Sequence, residues 1–207
     1  MATIILDFDG TIADSFDYVA TFLKRQVRNA NPLTDHEKHE LRGMTMQQMA
    51  EHLGCPKWAL PWLFVVGRHA MGKAMYNVPM FEGMGRVIEK LHAEGHQLII
   101  VSSNNNRNIR KFLKHHHIYS FFTDQYGDAG FFGKKRAIER VLKRNHVARS
   151  ATWYVGDEAR DIIAAHAAGV RAIAATWGFD HADVLASHEP AAIANQPEDI
   201  LRILEEL

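Results

Sequence analysis

Short aliphatic runs along the chain predict buried β-strands. They cover residues 3–6, 98–101, 152–155 and 170–174. Continuous apolar runs of this length are typical of strands that are covered on both faces, as in a parallel sheet. The first three runs stop at Asp7, Ser102 and Gly156-Asp157, where polar residues or glycine replace the aliphatic ones. We therefore expect each of these strands to run into a loop.

Amphipathic helices alternate with the predicted strands. Met84, Val87, Ile88 and Leu91 recur at i, i+3, i+4 and i+7, which places them on one face of a helix. Similar apolar faces occur near residues 109–113, 137–142, 162–167 and 200–204. The alternation of strands and helices predicts the α/β class, with a Rossmann-like parallel sheet core and helices on both faces.

Residues 14–80 have a different pattern. They contain no clear strand and are rich in helix formers, with one apolar helical stripe formed by Phe16, Val19, Ala20 and Leu23. We interpret this stretch as a small α-helical cap that is inserted after the first strand. The predicted domains are a core of residues 1–13 and 81–207 and a cap of residues 14–80.

Composition and charge limit the classes of partner. The 207 residues include 24 basic and 24 acidic side chains, so the formal net charge is zero. A balanced surface gives no reason to expect nucleic acid or an anionic membrane as partner, and the first ten residues resemble neither a signal peptide nor a membrane span. The single cysteine, Cys55, fits a reducing cytoplasm. A monomer and a homodimer both remain open.

Polar side chains follow three of the predicted strands. Asp7 and Asp9 follow the first strand, Ser102 the second and Asp157 the third. Ligands of parallel α/β sheets bind at the carboxyl ends of the strands, near the point where the strand order reverses, so these side chains should converge in space. Asp-x-Asp-Gly by itself is also compatible with an ordinary turn.

Four segments in order resemble the signature motifs of the haloacid dehalogenase superfamily. They are DFDGTI from Asp7, LIIVS ending at Ser102, the pair Gly133-Lys134 that opens a helix, and YVGDEARDIIAAHAAGV, which contains Asp157 and Asp161. The helical insert resembles the C1-type cap of that family, and the overall likeness is to its phosphoglycolate-phosphatase-like members. This resemblance implies a phosphoric monoester hydrolase that acts on a small phosphorylated metabolite.

The resemblance also implies catalytic roles. Asp7 would be the nucleophile that forms an aspartyl-phosphate, which divides one difficult displacement into two easier ones. Asp9 would protonate the leaving group and later accept a proton from water. Ser102 would hydrogen-bond a phosphoryl oxygen, and Lys134 would neutralise charge on both the nucleophile and the phosphoryl group. Asp9 also argues against dehalogenation, because the dehalogenases of the family do not have an Asp two residues after the nucleophile.

A magnesium ion is the cofactor that this resemblance implies. Its protein ligands would be Asp7, the backbone carbonyl of Asp9, and Asp157, because Mg²⁺ prefers oxygen donors. Glu158 or Asp161 would orient that ligand shell from behind. The remaining implied site residues adjoin these motifs: Gly10 and Thr11 in a supporting role, and Ser103 and Asn104 beside Ser102 in substrate binding.

Three alternatives remain open from the sequence. A phosphomutase of the same superfamily would have to shield the intermediate from water. A phosphonatase would need a Schiff-base lysine in the cap, for which Lys57 and Lys73 are the candidates in the middle of the cap. A non-catalytic binding protein on the same core is the third, although the complete acidic set argues against it.

Overall fold

The strands of the protein form one six-stranded sheet. The structure, a computed structural model, describes residues 1–26, 31–44, 46–130 and 133–206. The strands of this part are β1 (Thr3–Leu6), β2 (Gln97–Val101), β3 (Phe122–Tyr126), β4 (Thr152–Gly156), β5 (Arg171–Ala175) and β6 (Ala192–Ala194). They lie in the order β3-β2-β1-β4-β5-β6, and every neighbouring pair is parallel. The predicted α/β fold class is confirmed.

Ten α-helices surround or extend this sheet in the described part of the chain. They are α1 (Phe16–Arg25), α2 (Asp35–Leu41), α3 (Met46–His52), α4 (Leu60–Ala74), α5 (Met84–Ala93), α6 (Asn106–His115), α7 (Lys134–Arg144), α8 (Ala159–Ala168), α9 (Ala182–Ala186) and α10 (Asp199–Glu205). The predicted helical faces correspond to α1, α5, α6, α7, α8 and α10. None of the helices among the described residues has the length and apolar character that crossing a bilayer requires.

Successive residues of the central strands enter opposite cores, as the two-residue period of a strand requires. Ile4 and Leu6 of β1 lie in one hydrophobic cluster with Val87 of α5. Ile5 lies in the other cluster with Ile138 of α7. All five side chains are fully buried. Removing a side chain of this size from water contributes about 1.5–3 kcal/mol, so both helical layers hold the sheet.

Strand β1 lies at the topological switch point of the sheet. Its Ile5 pairs with Ile99 of β2 on one side and with Tyr154 of β4 on the other. The chain passes from β1 outward through β2 to β3 and then crosses back to β4. The loops that follow β1 and β4 therefore diverge, and a crevice opens beyond their carboxyl ends.

Helices α1–α4 lie between β1 and α5 and have a hydrophobic cluster of their own. Its members include Phe16, Leu23, Met49 and Leu63, together with Phe179 from the loop after β5. Two hydrogen bonds also join the helical segment to that loop: Arg42 Nη1 donates to Gly178 O (2.7 Å) and Gly43 N donates to Phe179 O (2.8 Å). Ala13, before α1, and Met80, after α4, form an antiparallel bridge.

Candidate active site

The polar ends of β1, β2 and β4 meet in the crevice at the switch point. Asp7 follows β1, Ser102 follows β2 and Asp157 follows β4. Each of these side chains is at most 2% exposed. Parallel strands in register bring their carboxyl ends to one edge of the sheet, so the convergence expected from the sequence is present.

Lys134, the first residue of α7, supplies a buried cation to this crevice. Its Nζ lies 2.5 Å from Asp7 Oδ2 and also contacts Asp161 Oδ1. Lys134 is 2% exposed. Burial by itself would lower the pKa of Lys134, but the carboxylates of Asp161 and Asp7 raise it above its ordinary value. Lys134 therefore stays charged and links the loop after β1 to the first turn of α8.

Asp7 is the most enclosed carboxylate of the first motif. Its Oδ1 accepts a hydrogen bond from Phe8 N at 2.7 Å. Burial raises the pKa of Asp7 to about 7, and the ammonium of Lys134 opposes this shift. The ionised form of Asp7 therefore needs additional positive charge to be stable at neutral pH.

Gly10 and Thr11 hold Asp157 rather than approaching Asp7. Thr11 Oγ1 donates to Asp157 Oδ1 at 2.7 Å. The backbone φ of Gly10 is +78°, and a Cβ at this position would lie 2.0 Å from Asp157 Oδ2. The second oxygen of Asp157 accepts from Phe179 N at 2.9 Å. These contacts give a physical reason for Gly and Thr in the first motif.

Asp157 is fully buried beneath this loop. Burial raises its pKa well above the ordinary value, and the negative charges of Glu158 and Asp7 raise it further. Each of its oxygens accepts one hydrogen bond from protein and retains another lone pair. Asp157 can therefore still bind a cation.

Asp9 faces the loop that follows β2. Asn104 Nδ2 donates to Asp9 Oδ2 at 2.9 Å, whereas Asp9 Oδ1 is buried and forms no hydrogen bond of good geometry among the described residues. Burial raises the pKa of Asp9, and polar contacts with Asn104 and Ser15 oppose the shift. Asn104 N donates to Ser102 Oγ at 3.0 Å, so the Ser102 hydroxyl keeps its own hydrogen for a ligand.

Arg160 is a second cation of the site that sequence reasoning did not identify. Its Nε donates to Glu158 Oε2 at 2.8 Å, and its Nη1 lies 3.4 Å from Ser103 Oγ. Burial would lower the pKa of Arg160, but Glu158 and Asp161 raise it above the usual range. The sequence feature that could have identified Arg160 is its position three residues after Asp157, inside the fourth motif.

Asp180 is a further carboxylate that the sequence did not reveal. It accepts from Ala159 N at 2.7 Å, at the start of α8. Burial raises the pKa of Asp180 to about 6, and this hydrogen bond opposes the shift.

Tyr154 OH lies 3.2 Å from Asp161 Oδ1 and completes the buried surroundings of the Asp161 carboxylate.

The acidic residues fit a divalent cation. Carboxylate oxygens of Asp7, Glu158 and Asp161 lie within 4.8 Å of one another. Burial raises the pKa values of Asp7, Asp9 and Asp157, and Asp9 Oδ1 is a buried oxygen that forms no hydrogen bond of good geometry among the described residues. These are hard oxygen donors whose ionised forms are only partly compensated by Lys134, which is the environment that Mg²⁺ favours. The metal ligands predicted from the sequence are Asp7, the backbone carbonyl of Asp9, and Asp157. Of these, Asp7 belongs to the cluster of three carboxylates.

A cavity of about 110 Å³ lies between the helical segment (α1–α4) and the polar residues of the crevice, which form its floor. Its floor contains the charged or polar residues Asp9, Ser103, Asn104, Glu158 and Arg160. Its other side is apolar and is formed by Val19, Phe22, Met49, Gly67, Met71 and Phe179. The side chains of Lys57 and Lys73 lie outside the described part of the structure.

Comparison with known proteins agrees with this geometry. Residues 4–175 match the family model described as haloacid dehalogenase-like hydrolase. The chain is 28% identical to a phosphoglycolate phosphatase from Synechococcus elongatus, over 100% of this chain and 99% of that protein. The fold is also similar to two solved structures.

The first is a haloacid dehalogenase-like family hydrolase from Streptococcus pneumoniae, with a TM-score of 0.82 and 20% identity over 99% of this chain and 98% of that one. The second is a predicted phosphoglycolate phosphatase from Haemophilus somnus, with a TM-score of 0.80 and 20% identity over the same shares of the two chains. At this identity the two structures bear on the fold alone. The family match covers most of the chain and confirms the expected hydrolase, so the protein belongs to the haloacid dehalogenase-like hydrolases.

Proposed function

We propose that the protein is a magnesium-dependent phosphatase that hydrolyses a small phosphate monoester through an aspartyl-phosphate on Asp7. The observation that carries this proposal is the buried contact between Lys134 and Asp7, with Asp9 beside them at the carboxyl ends of the central strands. A buried carboxylate held by an ammonium group suits attack on an anionic phosphoryl group, because the cation offsets the repulsion between the two.

The first chemical step transfers the phosphoryl group to the enzyme. An oxygen of Asp7 forms a bond to phosphorus while the bond from phosphorus to the ester oxygen breaks. Asp9 Oδ1, which forms no hydrogen bond of good geometry among the described residues, gives its proton to the departing alkoxide. Ser102 Oγ and Lys134 Nζ hold phosphoryl oxygens, with Ser103 and Asn104 on the floor beside them.

The second step releases phosphate. Water attacks phosphorus and loses a proton to Asp9, and the bond between Asp7 and phosphorus breaks. Asp9 thereby regains the proton that it gave in the first step. The two half-reactions together consume one ester and one water and yield one alcohol and one phosphate.

Mg²⁺ is the cofactor in this proposal, and Asp7, the carbonyl of Asp9, and Asp157 are its protein ligands. The cation supplies charge compensation between the carboxylates and the phosphoryl group. Glu158 and Asp161, whose carboxylate oxygens lie within 4.8 Å of that of Asp7 and of each other, support the ligands. If this assignment is right, Asp157→Asn will raise the Mg²⁺ concentration needed for half-maximal activity more than Glu158→Gln does. The reverse order would assign the ligand role to Glu158.

The small cavity and the relatives support a short substrate. A volume of about 110 Å³ accommodates a leaving group of a few carbon atoms. Phosphoglycolate has a leaving group of this size, and one relative that matches the whole chain carries the name phosphoglycolate phosphatase. We propose a phosphoglycolate-like metabolite as the substrate, with residues 14–80 acting as its cap domain. The cytoplasm is the proposed location, in keeping with the buried free thiol of Cys55.

Phosphate release from a panel of phosphorylated metabolites tests the function. Wild-type enzyme should release phosphate only when Mg²⁺ is added, and Asp7→Asn should abolish release while retaining the circular dichroism spectrum. Asp183→Asn, a matched change on an exposed helix, should behave as wild type. Retained activity in Asp7→Asn would refute the assignment of Asp7 as the nucleophile.

The same assay distinguishes the alternative functions. Rearranged sugar phosphates without free phosphate would indicate a mutase, and no turnover with any ester or divalent metal would favour a binding protein.

A further inference from the structure

The side-chain amide of Asn104 has one allowed orientation. Its Oδ1 accepts hydrogen bonds from Asn105 N (2.8 Å) and from Asn108 Nδ2 (2.9 Å). Its Nδ2 donates to Asp9 Oδ2 at 2.9 Å. Turning the amide over would place its oxygen against the Asp9 carboxylate and its NH₂ against two donors. The donors on the Oδ1 side therefore determine which group faces Asp9.

Asn108 is the side-chain donor of that pair. It lies in α6 and is 3% exposed. Its backbone N–H donates to the N-cap side chain of Asn105, so the side chain of Asn108 is not itself the capping group. A buried amide is costly unless its hydrogen bonds are satisfied, so a purely structural position would favour an apolar residue here. The contact with Asn104 is a reason for an amide at this position.

The helical cap reaches the same residue. A Cβ at Gly72 of α4 would lie 2.7 Å from Asn108 Oδ1. Lys111 Nζ of α6 donates to Gly72 O at 2.8 Å and holds the two helices together at this point. The seating of α4 on α6 therefore limits where the Asn108 amide can lie.

We propose that Asn108 is a positioning residue for Asp9, acting through Asn104, and that Gly72 of the cap keeps it in place. By fixing the Asn104 amide, Asn108 holds Asp9 Oδ2 and so directs Oδ1 toward the leaving-group oxygen. This inference rests on the proposed phosphatase function. It adds two residues that contact neither the phosphoryl group nor the predicted metal ligands, and it connects cap seating to proton donation.

Substrates with different leaving groups separate positioning from general damage. An alkyl phosphate needs a proton on its leaving oxygen, whereas p-nitrophenolate leaves readily without one. The ratio kcat/KM covers the steps up to leaving-group release. A defect in Asp9 alignment should therefore lower kcat/KM for alkyl phosphates and leave that for p-nitrophenyl phosphate nearly unchanged.

The test compares Asn108→Asp with wild type on p-nitrophenyl phosphate and on the alkyl phosphate that wild type hydrolyses fastest. The variant presents an acceptor to Asn104 Oδ1 and favours the reversed amide. We expect the alkyl ester to lose at least about tenfold more kcat/KM than the aryl ester. Asn106→Asp is the matched control, since its side-chain oxygen accepts only from Gly127 N in the described structure and Asp keeps that bond.

Gly72→Ala provides a second variant that does not depend on a buried charge. Alanine favours a helix over glycine, so a loss of activity in this variant cannot be assigned to a weaker helix. The same selective loss on the alkyl ester is expected. Equal losses on both esters, losses that follow the unfolding midpoint, or no loss in either variant would overturn the proposal. If wild type hydrolyses no ester, the proposed function itself fails, and this inference fails with it.

Discussion

Replacing Lys134 by methionine should destabilise the enzyme strongly, because it removes the cation from between Asp7 and Asp161. Methionine keeps the length of the side chain but not its charge. Lys134 is 2% exposed, and its Nζ contacts both carboxylates. Breaking a buried ion pair from one side costs about 3–5 kcal/mol, since the partner charge remains buried without compensation.

The loss should be measurable by urea unfolding and by thermal unfolding in metal-free buffer. A change of 1 kcal/mol shifts the melting temperature of a chain of this size by about 2–4 °C, so Lys134→Met should melt roughly 6–20 °C lower. Lys135→Met is the matched control. The Lys135 side chain is 50% exposed and lies 3.8 Å from Glu139, and its loss should change stability by no more than about 0.5 kcal/mol.

A second substitution tests the stated cause. Lys134→Met leaves two carboxylates buried without a cation. Adding Asp161→Asn removes one of them and should restore part of the lost stability. Equal unfolding midpoints for Lys134→Met and Lys135→Met would refute the idea that buried charge holds the site together. So would a double variant that is less stable than Lys134→Met.

Three further predictions concern the same loops. Asp9→Asn should lower kcat/KM for alkyl phosphates by about 10²–10⁴-fold and for p-nitrophenyl phosphate much less; equal losses would argue against an acid role. Gly10→Ala should destabilise the fold and abolish phosphate release, because φ is +78° and the added Cβ would lie 2.0 Å from Asp157 Oδ2; wild-type activity and melting temperature in this variant would contradict the packing described. In metal-free buffer, wild type should lose stability relative to Asp7→Asn as the pH rises from about 4 to 7. Burial raises the pKa of Asp7 from 3.8 to about 7. The folded state therefore binds that proton more tightly than the unfolded chain does, and this contribution to stability is lost as the pH rises. Urea titrations across this range that show no relative loss would contradict the shift.

The central strands could be predicted from the sequence, but the edge strands could not. β1, β2, β4 and β5 are covered on both faces and consist mainly of apolar residues, so their signal is continuous. β3 reads FTDQY and is an edge strand, with several half-exposed or exposed positions. β6, at the other edge, has three residues. An edge strand needs fewer apolar side chains, and its local pattern is correspondingly weak.

The proximity of the motif side chains could be anticipated from the sequence. The contact between Lys134 and Asp7 joins residues far apart in sequence and agrees with what the resemblance to the family implied. Arg160 and Asn108 were missed because spacing along the chain does not show that their side chains point into the site. Arg160 contacts Glu158 and Ser103, and Asn108 contacts Asn104. Periodicity identifies α6 but does not distinguish a buried asparagine with a hydrogen-bonding role from an ordinary polar position.

Mass spectrometry of the phosphorylated enzyme tests the central claim most directly. Wild-type protein is mixed with substrate and Mg²⁺, quenched in acid within the first turnover, digested and sequenced by fragmentation. We expect one additional phosphoryl group on the peptide that begins before β1, located on Asp7 and absent from the Asp7→Asn variant. A phosphoryl group on any other residue, or steady turnover with no phosphorylated peptide, would contradict it.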